Sequence, residues 1–250
     1  MSDRPVLLVT GGSRGIGAAI SLTAARQGWA VIVNYASNQA AADAVVAQIR
    51  AEGGEAIAAA GDVGSRDGIK AMFAVVDSHF GRIDGLVNNA GVVDMTARVD
   101  ELSWDRIERM FRINVTGSIL CASEAVRRMS TRHGGKGGSI VNISSVAATL
   151  GSPGQYVDYA ASKGAIDTFT TGLAKEVATE GVRVNAVRPG IINTEIHASG
   201  GLPNRAQDLR HVVPMQRPGE AQEIADAVLF LLSPSASYIT GAFLDVSGGR

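Results

Sequence analysis

The sequence predicts an α/β fold: one parallel sheet of seven strands with helices on both faces, in a single domain over residues 1–250. Apolar runs of strand length recur along the chain with helical stretches between them. A cluster of glycines separates the first run from the first helix, where a nucleotide diphosphate would sit. The composition, 46% hydrophobic against 19% charged, can fill a sizeable core, and with aromatics at 5% that core is mainly aliphatic and alanine.

The first strand is read at 6–9, followed by Thr10-Gly-Gly-Ser-Arg-Gly-Ile-Gly17 and a helix over 16–27 in which Ile16 and Ile20 share a face. A strand at 30–33 precedes a helix carrying Ala41, Val45 and Ile49 at helical spacing. Runs at 56–59, 83–88, 139–143, 182–187 and 243–246 complete the seven, each continuous as buried parallel strands require. No proline- or serine-rich linker interrupts them, so strand, helix, strand repeats into one wrapped sheet. Gly134-Gly-Lys-Gly-Gly138 reads as a turn, because a phosphate loop would precede a helix and this stretch precedes a strand. Residues 193–214 hold Gly200-Gly201, two prolines and no clean period, and read as a lid over a substrate.

A net charge of -1 leaves no surplus to hold a nucleic-acid backbone or an anionic membrane, so the expected ligand is small. No apolar run approaches a membrane span or a signal-peptide core, and the expected location is cytoplasmic. Cys121 is the single cysteine, which excludes an internal disulfide, and its helical surroundings favour packing. His79, His133, His197 and His211 stand far apart with no cysteine cluster, so no metal is expected. A Ser-His-acid hydrolase lacks its Gly-x-Ser-x-Gly elbow.

Tyr159 and Lys163, in Tyr-Ala-Ala-Ser-Lys, lie one helical turn apart. A free tyrosine titrates near about 10, and a fixed cation nearby lowers that value, so the pair can exchange a proton. Alone, such a pair is more often a surface feature. Ser145 ends the run Ser139-Ile-Val-Asn-Ile-Ser-Ser145, where a strand delivers a hydroxyl to the sheet edge. Gly11, Gly15 and Gly17 let the backbone approach a diphosphate at a helix start. The carboxylate that an NAD site keeps about twenty residues further on is missing from Val33-Asn-Tyr-Ala-Ser37. That favours NADP(H) over NAD(H), with Arg14, Asn34 and Ser37 available to a ribose phosphate. The plainer reading of Arg14 is a solvated surface cation.

Thr10 to Gly17, Asp62, Asn88-Asn-Ala-Gly91, Asn114, Ser145, Tyr159 with Lys163, and Pro189-Gly190 followed by Thr194 stand in one order along the whole chain. In this the sequence resembles the short-chain dehydrogenase/reductase family, including its own spacing of the glycine loop. The resemblance implies a single-domain Rossmann fold and hydride transfer between a nicotinamide and a carbonyl or secondary alcohol. It makes Asn114, Ser145, Tyr159 and Lys163 one catalytic unit and selects Ser145 over its neighbour Ser144. Cofactor contacts are implied for Gly11, Ser13, Arg14, Gly15, Ile16 and Gly17, for Asn34, Tyr35 and Ser37, and for Asp62 with Val63 at the adenine. Asn89, Ala90 and Gly91 are implied at the adenine-ribose wall, and Pro189, Gly190, Ile192 and Thr194 at the carboxamide, with Tyr159 and Lys163 also touching the cofactor.

A homotetramer is implied through helices over 104–129 and 156–179 and the segment 225–246, although Ser247 stands where many relatives carry aspartate. Within the family the chain is most similar to 3-oxoacyl-carrier-protein reductases and to glucose or sugar dehydrogenases. Arg127, Arg128 and Arg132 offer a docking face for a carrier protein, a solvated face being the simpler reading. The alternative function is a sensor or scaffold that binds NADP(H) without turnover; the complete Ser145, Tyr159 and Lys163 set argues against it.

Overall fold

The computed structural model describes residues 4–195, 200–202 and 204–250. Seven strands form one sheet: β1 (Val6–Val9), β2 (Ala30–Tyr35), β3 (Glu55–Ala60), β4 (Gly85–Asn88), β5 (Gly138–Ile143), β6 (Val182–Pro189) and β9 (Phe243–Val246). Their order is β3-β2-β1-β4-β5-β6-β9, and every neighbouring pair is parallel. The chain winds outward in both directions from β1 and β4, so a crevice opens between their carboxyl ends. A two-residue parallel pair, β7 (Ile192–Asn193) with β8 (Gly219–Glu220), lies outside the sheet.

Side chains alternate across β1. Leu7 and Val9 face a core with Ile20, Ile49, Ile224 and Val228, from α1 (Gly15–Arg26), α2 (Gln39–Ala51) and α9 (Ala221–Leu232). Val6 and Leu8 face the other, with Met72, Phe73, Cys121 and Met129 from α3 (Arg66–His79) and α5 (Ser118–Met129). Both faces of the sheet are therefore dry, which is why its strands read as unbroken apolar runs. A third, small cluster of Ile191, Ala206 and Val213, with Leu209 against it, belongs to neither face.

The stretch read as helix over 104–129 is α4 (Trp104–Phe111), a π turn at Arg112–Gly117, and α5. Beyond β5 come α6 (Ala147–Leu150) and α7 (Val157–Glu176). Buried amides tie these layers together: Asn88 on β4 donates to Asn142 Oδ1 at 2.9 Å, and Asn142 on β5 donates to Thr170 Oγ1 of α7 at 2.8 Å. Of the expected lid, the described part holds β7, α8 (Arg205–Asp208) and a 3₁₀ turn at Arg210–Val212; His197 lies outside the described residues. Among the described residues no helix is long and apolar enough to cross a membrane, and no group of three acidic, histidine or cysteine side chains is placed to hold a metal.

Candidate active site

Two cavities meet at the carboxyl ends of the strands. Gly11, Ser13, Arg14, Gly15, Ile16 and Gly17 line the first, with Asn34, Tyr35 and Ser37 beyond β2, Asp62 and Val63 beyond β3, Asn89, Ala90 and Gly91 beyond β4, and Thr194. Ser145, Tyr159, Lys163, Pro189, Gly190 and Ile192 line the second. Ile16, Asn89 and Gly91 border both, so the two form one elongated cleft.

The glycine loop is fixed by its neighbours. Thr10 Oγ1 accepts from the amides of Asn89 and Ala90, both at 3.0 Å, and Asn89 Nδ2 donates to the carbonyls of Thr10 (2.9 Å) and Gly11 (3.0 Å). The loop packs so closely that a Cβ on Gly17 would lie 2.2 Å from Gly11 O, which no other residue tolerates. Gly11 and Gly15 have φ of +60° and +50°, where glycine carries no steric cost. No side chain caps α1 and its first turn holds no acid, so its leading amides and their dipole face the cleft.

Asn34 departs from its expected role. It is buried at 1% exposure, with its Nδ2 donating to Ala59 O (3.1 Å) and Gly61 O (2.9 Å) and its Oδ1 accepting from Gly11 N (3.1 Å). Both amide hydrogens are engaged, so Asn34 braces the loop and offers no donor to a ribose phosphate. Arg14 is exposed at the cleft rim, as are Ser37 and Asp62, and Asp62 accepts from Gly64 N at 2.8 Å.

At the other end, α7 presents Tyr159 and Lys163 beside the residues that follow β5. Lys163 is buried, and its Nζ donates to Ile143 O at 2.7 Å and lies 5.6 Å from the centre of the Tyr159 ring. Burial lowers the Lys163 ammonium to about 8, with Asp167 acting the other way. Burial pushes the Tyr159 phenol up to about 12, against a hydrogen bond with Ser145. This runs against the expectation of an acidified phenol: desolvation of the phenolate is the leading cause, and the neutral phenol is favoured.

The two serines have different surroundings. Ser144 Oγ donates to Asp167 Oδ1 at 2.6 Å, and Arg188 clasps the other oxygen of that carboxylate at 2.8 and 3.0 Å. Ser145 keeps its hydroxyl on the cavity wall, accepting from Ala147 N at 3.1 Å. Asn114 lines neither cavity. It sits buried in the π turn, where its amide bonds Val92 N and O at 2.8 and 3.0 Å and Ser162 Oγ at 3.2 Å, and it stands behind Gly91. Its side chain thus fixes the loop after β4, and its Oδ1 and the Lys163 Nζ both lie against Gly91, 3.4 and 3.7 Å from where a Cβ would stand.

Sequence reasoning missed two supports. Asp158, adjacent to Tyr159 and 2% exposed, is held by Arg106 at 2.7 and 3.2 Å, while Arg106 Nη1 also donates to Met95 O at 2.6 Å. Asp167, one turn beyond Lys163, is the second; its position on the helix face was the available signal.

A family model described as enoyl-(acyl carrier protein) reductase matches residues 11–250. An uncharacterized oxidoreductase, YgfF, of Escherichia coli K12 is 53% identical across 98% of this chain and 99% of its own length. The chain belongs to the short-chain dehydrogenase/reductase family. A 3-oxoacyl-[acyl-carrier-protein] reductase of Synechocystis is 42% identical over 98% of this chain and 96% of its own. Among solved structures, a short-chain dehydrogenase/reductase from Serratia marcescens superposes with a TM-score of 0.90 at 36% identity, covering 98% of this chain and 97% of that one. A short-chain dehydrogenase from Burkholderia cenocepacia in complex with NADP superposes at 0.89 with 35% identity and the same coverage. As a family member the protein is an oxidoreductase acting on small molecules, and its Rossmann fold, with the sheet order described above, agrees.

Proposed function

We propose that the protein transfers hydride between NADP(H) and a carbonyl or secondary alcohol, with Tyr159 as proton donor in reduction and acceptor in oxidation. The observation that carries this reading is the single cleft running from the glycine loop to Tyr159, Lys163 and Ser145, its two cavities joined at Ile16, Asn89 and Gly91. The protein's residues suit the dinucleotide: a space at Gly17 that only hydrogen fills, uncapped amides at α1, and no carboxylate at the end of β2. The NADP named with the Burkholderia neighbour supports the same choice. When bound, the nicotinamide supplies or accepts the hydride.

The chain's own residues handle the oxygen and the proton. Tyr159 retains its proton at neutral pH and gives it to the substrate oxygen as that oxygen gains charge. Ser145, on the same cavity wall as Tyr159, aligns the same oxygen. Lys163 holds a positive charge beside the phenolate left behind, and Ile143 O keeps its ammonium in position.

A free small substrate is favoured over one on a carrier protein. Arg127 and Arg128 border a hollow at the amino ends of the strands, opposite the cleft. Arg127 pairs with Glu124, Arg128 with Glu124 and Asp77 at 2.7 Å, and Arg132 with Glu180 at 3.9 Å, leaving little charge for docking. The test follows NADPH absorbance with a panel of ketones, sugars and acyl thioesters, alongside nucleotide binding by fluorescence. Turnover is expected in the wild type and its loss in Tyr159→Phe with binding retained. Binding without turnover on every compound would favour the sensor instead.

A further inference from the structure

We propose that Arg205 is a recognition point for an anionic group on the substrate, so that the preferred compounds are negatively charged ketones or alcohols. The inference rests on Tyr159 being the reacting centre. Arg205 opens α8 and is half-buried, with its guanidinium carbon 5.0 Å above the Tyr156 ring and its Nη2 donating to Gln155 Oε1 at 2.7 Å. Both holders are neutral, so they orient the cation without cancelling its charge. Among the described residues no carboxylate pairs with Arg205, and neither its Nε nor its Nη1 has an acceptor, whereas Arg106, Arg128 and Arg188 each hold an acid. One edge of the planar fork is thus free to take a carboxylate or phosphate through two parallel hydrogen bonds.

The surroundings set this cation beside the start of the helix that carries Tyr159. Desolvation and then the charge of Arg205 hold the Arg250 guanidinium below its ordinary value. Asp94, in the loop after β4, is occupied by Met95 N at 2.8 Å and Arg109 at 3.5 Å. Gly200 brings its segment against the same loop: a Cβ there would lie 3.3 Å from both the Tyr156 hydroxyl and Asp94 O. Tyr156 is the N-cap of α7 and Tyr159 stands three residues on, so the two side chains leave the same end of the helix. The guanidinium over Tyr156 is therefore on the order of 10 Å from the Tyr159 phenol. That span fits a substrate whose anionic group lies several bonds from its carbonyl.

The experiment compares methyl-ketone carboxylates of increasing chain length with their methyl esters, by NADPH oxidation, in wild type, Arg205→Gln and Arg205→Lys. In parallel, hexanoate and hexanamide are titrated calorimetrically into the protein with NADPH. Wild type is expected to favour acid over ester by about tenfold in kcat/KM at the best chain length. Arg205→Gln should bring that ratio to about one, and Arg205→Lys should keep part of it. No preference in wild type, or a ratio unmoved in Arg205→Gln, overturns the proposal. If no ketone is reduced but hexanoate binds about tenfold tighter than hexanamide and loses that advantage in Arg205→Gln, the anion site stands and the redox reading falls. Equal binding of the two removes the anion site.

Discussion

Single side chains set the chemistry through their hydration. On the mechanism proposed above, reduction needs the Tyr159 proton and the Lys163 cation together. With the phenol raised to about 12, the donor stays protonated throughout the neutral range. With the ammonium lowered to about 8, the cation is complete below that pH and lost as pH rises through it. The kcat/KM for reduction should therefore be level below about pH 8 and decline above it, while alcohol oxidation, which needs the phenolate, should gain with pH. A reduction profile that stays level into the ordinary lysine range would contradict this balance. Arg14 carries the cofactor expectation, since Asn34 is bound into the loop: Arg14→Ala should weaken NADPH use about tenfold or more while sparing NADH, read from initial rates with each nucleotide. The residue types at the cleft were legible in the sequence because glycine, tyrosine and lysine have few substitutes for these tasks. The role of Asn34 was not, because burial and a bond to Gly11 N depend on the meeting of β2, β3 and the loop.

At the scale of elements, the seven strands were legible because both faces of the sheet are covered, and the readings differ from the structure by only a few residues at the ends. The β7–β8 pair was not, since two residues carry no periodicity. Nor was the π turn: it keeps the apolar spacing of a helix on either side while rotating Asn114 inward. Helix α7 is positioned by a contact that sequence spacing hides, the pair between Arg106 and Asp158, 52 residues apart. Arg106→Met would leave the Asp158 carboxylate, 2% exposed, without its partner, at a cost of about 3–5 kcal/mol in urea unfolding. Replacing both with apolar residues should recover most of that loss. Because Asp158 adjoins Tyr159, the single change should also lower kcat.

For the whole molecule, the assembly remains a proposal drawn from the family, and the surface supports it. Trp104 is 79% exposed on α4, and Ile107 and Leu120 on the stretch expected to pair subunits are exposed as well. Light scattering should give four times the chain mass of 25.8 kDa, and Trp104→Glu should reduce it. A monomeric wild type would end the tetramer proposal.

The minor cluster of Ile191, Ala206, Val213 and Leu209 takes no residue from the two large cores. Selection can therefore recut the stretch around α8 without disturbing the scaffold that carries the nucleotide. A transplant from a relative, keeping only those apolar anchors, should alter what the protein accepts while leaving its melting temperature nearly constant. Diversification and robustness are assigned to separate pieces of the same polypeptide.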